Sequence, residues 1–152
     1  MAPYYKDGYL EAVLFIFIDG DTILVEHRPK GGGTETFIPN GKIEDFDFAE
    51  GADYRVAAMR REVAEEFDNH VEVVSYVPLG GFRAEAVKIT FYGYLVTEWR
   101  GQVPAYTVEE GRKFAELEWI DIRDYARYLT FDTTTFFVEK VRELEVRLPN
   151  SF

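Results

Sequence analysis

A chain of 152 residues, 47% hydrophobic and 30% charged, is sized for one domain around one substantial core, and its balance is globular rather than disordered. The net charge of -11 excludes a surface built to grip DNA or RNA, though a small phosphorylated ligand reached through a cation stays open. The absence of cysteine excludes disulfide scaffolds, thiolate zinc sites and cysteine nucleophiles.

Near the start, "AVLFIFI" is an apolar run of seven residues between Glu11 and Asp19. It is too short to cross a bilayer and no basic leader precedes it, so a soluble cytoplasmic protein without membrane association is expected. "YLEAVLFIFIDGDTILVEHR" reads as two strands joined by a tight turn at Gly20-Asp21. "PKGGGTETF" reads as a loop and "FIPNGKIE" as a short extended piece. A P-loop is excluded there, because isoleucine rather than serine or threonine follows Lys42.

After the acidic stretch "DFDFAEGA", the apolar residues Val56, Met59, Val63 and Phe67 recur at helical steps, which predicts a helix from about Asp53 to Phe67. Asp53 suits its N-cap and Asp68-Asn69 its left-handed exit. "HVEVVSYVPLGGF", "AVKITFYGYLVTEW" and "AELEWIDI" read as strands. "IRDYARYL" and "DTTTFFVEKVRELEV" read as closing helices, the second capped by Asp132. No repeats or linkers appear, so residues 1–152 are expected to form a single domain, a mixed sheet packed between helices.

The central helix carries "RREVAEEF", with Glu62 and Glu66 on the flank of its apolar stripe and Glu65 further round. Half-buried carboxylates side by side are unfavourable unless a cation neutralises them or one holds a proton. Hard divalent ions such as Mg²⁺ seek oxygen ligands of this kind. Taken alone, the pattern more often describes a solvated acidic face with Arg61 and Glu65 as a surface pair.

The surroundings decide between these readings. "PNGKIE" followed by "AAMRREVAEEF" resembles the Nudix box, G-x5-E-x7-R-E-U-x-E-E-x-G-U with U a bulky aliphatic residue. Gly41 matches the opening glycine and Arg61 to Glu66 match R-E-U-x-E-E, so the box covers residues 41–69. Asp53 stands eight positions before Arg61, where the family has glutamate, and eleven residues instead of five separate it from Gly41. This reads as a six-residue insertion in the box loop, with Glu50 and Glu44 as alternative acids. Asp68 and Asn69 replace the final glycine and aliphatic residue.

The resemblance implies the α/β Nudix fold and hydrolysis of a nucleoside diphosphate linked to another group, a nucleoside triphosphate or a nucleotide sugar. It implies Mg²⁺, with Mn²⁺ as the alternative, held by Glu62, Glu65, Glu66 and the Gly41 carbonyl. Arg61 would orient those carboxylates. Glu62 or a later loop glutamate, Glu110 ahead of its neighbour Glu109, would act as general base. Arg28 and Lys42 would touch the phosphates, with Lys30 beside Arg28 at the same strand end. The expected partner is a small nucleotide rather than a polymer, and a homodimer is consistent with relatives.

Phe82, Tyr92 and Tyr94 are aromatic candidates for stacking on a base, although no base-binding residue is assigned. His27 and His70 read as ordinary boundary residues. A non-catalytic nucleotide sensor is the alternative function, motivated by the insertion and the aspartate replacements. The isoprenoid isomerase branch, which typically uses a cysteine, is disfavoured.

Overall fold

The computed structural model describes residues 2–50 and 53–147. Gly51 and Ala52, within the expected insertion, and the side chain of Glu50 lie outside the described residues. The strands are β1 (Tyr5–Lys6), β2 (Tyr9–Asp19), β3 (Thr22–Lys30), β4 (Gly33–Phe37), β5 (Asn40–Lys42), β6 (Val71–Ala84), β7 (Ile89–Gly101), β8 (Tyr106–Glu109) and β9 (Arg112–Asp121). Helix α1 spans Tyr54–Glu66 and α2 spans Asp132–Arg147, with 3-10 turns at Asp45–Glu50 and Ile122–Arg127.

The mixed, curled sheet runs in the order β6-β7-β2-β3-β9-β8, while β1 and β5 pair with β2 and β4 with β3. Its centre is β2, parallel to β7 from Leu10 to Phe17 and antiparallel to its other partners. Side chains alternate across a strand, and here both faces are covered, so the sequence shows an unbroken apolar run. Val13, Phe15 and Phe17 pack with Ala58, Met59, Val63 and Phe67 of α1 and its C-cap. Leu14, Ile16 and Ile18 pack on the other side with Phe137, Val138 and Val141 of α2. Gly93 admits this second helix: a Cβ there would lie 2.4 Å from the Phe137 ring. The expected sheet between helices is therefore found.

Burying each such side chain contributes about 1.5–3 kcal/mol, enough to fix the rotation of α1 about its axis. That rotation sets where Glu62, Glu65 and Glu66 point. The Asp53 side chain accepts from the amides of Arg55 and Val56, and Asp68 and Asn69 take φ of 51° and 61°. Both ends of α1 thus match their expected caps.

Four details differ from the sequence reading. "PKGGGTETF" is not a loop but a hairpin, because Gly31-Gly32 suffice for the turn and "TETF" pairs back on β3. A short strand, β8, precedes β9. "IRDYARYL" forms only a 3-10 turn, opened by Asp121. Asp132 is the first residue of α2 rather than the cap before it. Pro78 is tolerated in β6 because, among the described residues, that strand pairs with β7 alone and bulges beside the proline. Among the described residues, no helix is long and apolar enough to cross a membrane.

Candidate active site

One face of α1, the strand β5 and the β8–β9 turn enclose a cleft of about 650 Å³. Glu62, Glu65 and Glu66 line it with Gly41, Lys42, Glu44, Arg28, Glu109 and Glu110, so the expected metal ligands, the candidate bases and two of the expected phosphate contacts share one cleft. Arg61 lies just behind. Its Nη1 donates to Glu62 at 3.0 Å and Glu65 at 3.2 Å, and its Nη2 to the Lys42 carbonyl at 2.9 Å. Burial opposes its charge, but Asp47, Glu62 and Glu65 outweigh that cost and keep the guanidinium protonated.

The acid that holds Arg61 is Asp47, which the sequence reading missed. Its two oxygens accept from Arg61 Nε at 2.8 Å and Nη2 at 2.9 Å, and its carboxylate also takes the Glu44 amide. This corrects the assignment of Asp53, which caps α1 instead. Glu44 lines the cleft and makes no such pair among the described residues. Five residues separate Gly41 from Asp47, the spacing of an uninterrupted box, while thirteen rather than seven separate Asp47 from Arg61. The extra residues therefore follow the acid instead of preceding it. Counting forward from Gly41 would have found this; counting back from Arg61 concealed it.

Gly41 is required by contact. A Cβ on it would lie 2.0 Å from the Glu62 carboxyl carbon. Gly41→Ala should therefore push the Glu62 side chain out of the cleft and lower turnover by roughly 10²-fold or more with a modest change in melting temperature. Steady-state kinetics beside a thermal melt checks this; unaltered kcat would contradict it.

Burial pushes the Glu62 carboxyl up to about 7, against the pull of Arg61 and with help from Glu65 and Glu44. Glu66 rises further, to about 9, through burial first and then the charges of Glu26, Glu62 and Glu109, with Arg28 opposing. Its Oε1 is buried without a hydrogen-bond partner among the described residues. A carboxylate so placed calls for a proton or a cation. Among the described residues no three carboxylate or imidazole groups converge on one point at ligand distance. Arg61 instead draws Glu62 and Glu65 toward itself, and a cation would take them over. The all-oxygen donors and the orphaned Glu66 oxygen suit a hard divalent ion.

Glu109 and Glu110 both line the cleft, in different settings. Glu110 and Gly111 form the two-residue turn between β8 and β9, with φ of 52° and 76°. Glu109 ends β8, and its charge raises both Glu66 and Glu26.

A second, apolar pocket of about 320 Å³ adjoins the cleft, sharing Arg28 and Asn40 with it. Phe37 and Phe131 line it, their rings parallel within 6° at 4.9 Å. The aromatic candidates from sequence lie elsewhere. Phe82 packs on Phe136 of α2, Tyr94 is buried, and Tyr92 lies under Arg55 at 3.7 Å. His27 bridges Thr36 and Glu118, and His70 bonds the Phe67 carbonyl. Lys30 pairs with Glu35.

The NUDIX domain family model matches residues 8–137. The chain belongs to the Nudix family. Nudix hydrolases are pyrophosphohydrolases that act on small nucleotide-type compounds with divalent cations. Among solved structures, this Nudix chain is similar to one from work on MutT of Aliivibrio salmonicida and Vibrio cholerae, at 26% identity, TM-score 0.62, covering 88% of this chain and 94% of that one. It shares its fold with the E. coli ORF135 protein, at 18% identity, TM-score 0.67, covering 93% and 94% of the two chains. The fold is also that of an ADP compounds hydrolase, at 14% identity, TM-score 0.69, covering 92% and 78%. None of the curated proteins compared matches the sequence significantly.

Proposed function

We propose that this Nudix domain is a Mg²⁺-dependent pyrophosphohydrolase of nucleoside triphosphates. The observation that carries the proposal is the orphaned Glu66 carboxyl in an acidic cleft opening onto an aromatic pocket. Glu62, Glu65 and Glu66, with the Gly41 carbonyl, would hold the ion. Bound there, it supplies positive charge for the phosphoryl oxygens and for an attacking water.

The chain's own residues do the rest. Arg61, fixed by Asp47, keeps Glu62 and Glu65 facing the cleft. Arg28 and Lys42, which both line the cleft, neutralise the phosphate chain. The water's proton passes to Glu62 or Glu109, cleft acids whose charges both act on Glu66. The apolar pocket takes the base. The exposed Phe131, stacked on Phe37, offers a ring face, and Asn40, whose Nδ2 donates to the Ile38 carbonyl at 2.9 Å, turns its oxygen to a ligand N–H. That chemistry favours a base over a sugar hydroxyl cluster, hence a nucleoside triphosphate over a nucleotide sugar. A free nucleotide, in the cytoplasm, is the proposed substrate rather than a polymer. The sensor reading loses one of its motives, because Asp47 supplies the acid whose displacement helped to suggest it.

The test is a panel of nucleoside triphosphates, nucleotide sugars and dinucleotides incubated with the protein and Mg²⁺. Release of pyrophosphate from at least one triphosphate, with slower cleavage of sugars, is expected. Turnover of none, or of nucleotide sugars alone, overturns the proposal.

A further inference from the structure

We propose that Glu26 is a positioning residue that holds Arg28 at the junction of the two cavities and keeps it from closing onto Glu66. The inference rests on reading the acidic cleft as a phosphate site.

Leu24, Glu26 and Arg28 alternate onto one face of β3, the face toward α1. Glu26 is 0% exposed, an expensive place for a carboxylate unless it is paired. One of its oxygens accepts from Arg28 Nε at 2.7 Å and lies 2.5 Å from Nη2 in an ion pair. Thr107 approaches the other at 3.5 Å. A charge-assisted hydrogen bond with an ion-pair contact to the same carboxylate oxygen, and the Phe37 ring 4.7 Å from the guanidinium carbon, restrict the guanidinium from two sides. Arg28 makes no other hydrogen bond among the described residues, and its side chain is a quarter exposed, so one edge stays available to a ligand.

The need for an anchor follows from the company Arg28 keeps. Glu62, Glu65, Glu66 and Glu109 line the same cleft, and the Glu66 oxygen has no partner. A mobile guanidinium would swing onto one of them. That collapse would remove a phosphate contact and occupy the carboxylate the site needs free. A buried competitor on the same strand prevents it. Arg28 also lines both cavities, so a ligand with a ring in one and phosphates in the other must pass its fixed edge.

The experiment is a double-mutant cycle on the affinity for methylenediphosphonate, a non-cleavable pyrophosphate mimic, measured by calorimetry with Mg²⁺. Arg28→Ala should weaken binding roughly tenfold, Glu26→Gln nearly as much, and the double variant no further than Arg28→Ala alone. Losses that multiply, or a Glu26→Gln variant that binds like wild type, would overturn the inference. Should Glu26→Gln not fold, Glu26→Asp keeps the charge on a shorter arm and is read by the same cycle. Wild-type binding without turnover in the substrate panel would remove the hydrolase reading and leave the cycle valid. No measurable wild-type binding would overturn both.

Discussion

Glu66→Gln is expected to lower kcat by roughly 10³-fold, the scale of losing a group that organises transition-state charge. In the metal-free protein the same change should raise stability. The sign follows from the carboxyl, pushed up to about 9 in the fold against an ordinary 4.5. Between those values the folded state keeps a proton that the unfolded chain has released, so stability falls as pH rises. Below about 4.5 both states are protonated and the full contribution is present; it is lost as pH climbs through 9. Over that window the wild type without metal should lose on the order of a few kcal/mol. Glu62, pushed up to about 7, shares the lower half of the slope. Glutamine does not titrate, so most of the slope above pH 7 should vanish in the variant. Thermal melts in a chelator from pH 5 to 9 check this, and adding Mg²⁺ should raise the wild-type Tm more at pH 8.5 than at 6. An equal slope in both proteins would show that Glu66 does not carry the cost.

Asp47→Ala and Asp53→Ala are expected to part sharply, although the second aspartate sits at the box position counted back from Arg61. Asp47 is 1% exposed and its partner Arg61 is 15% exposed at the side chain, so removing the acid takes two hydrogen bonds from a largely buried guanidinium and leaves it only Glu62, Glu65 and the Lys42 carbonyl. Breaking such a pair costs about 3–5 kcal/mol. For a domain of this size that corresponds to a fall in Tm on the order of 10 °C. Turnover should fall as well, since Arg61 loses its brace and no longer holds Glu62 and Glu65 in place. Asp53→Ala removes only an N-cap, about 1 kcal/mol, and should leave kcat within a factor of two or so. Equal losses from the two would mean that Asp47 is not the acid of the box. Melting curves and steady-state kinetics on both variants decide it.

The contrast shows what the sequence can carry. The rotation of α1 was legible because its stripe, Val56, Met59, Val63 and Phe67, obeys a local period, and that period places Glu62 and Glu66 at the core boundary. The central strand was legible from its β-branched and aromatic run. Asp47 was not, because the extra residues could fall on either side of the acid and only the fold decides which carboxylate meets Arg61. Glu26 carried a usable signal, an acid in alternation with Leu24 and Arg28, but nothing local says that its face is sealed. The hairpin of β3 and β4 was obscured by three glycines that serve only its turn and the first strand position after it. The pocket lined by Phe37 and Phe131 joins residues far apart in the chain, which no local pattern reveals.

The central claim is that the acidic face of α1 is built around a divalent cation. A Mn²⁺ titration followed by electron paramagnetic resonance, on wild type, Glu66→Gln and the surface variant Glu72→Gln, tests it most directly. The account predicts specific binding by wild type and Glu72→Gln, weakened by tenfold or more in Glu66→Gln. Indistinguishable binding by all three proteins, or none by the wild type, would contradict it.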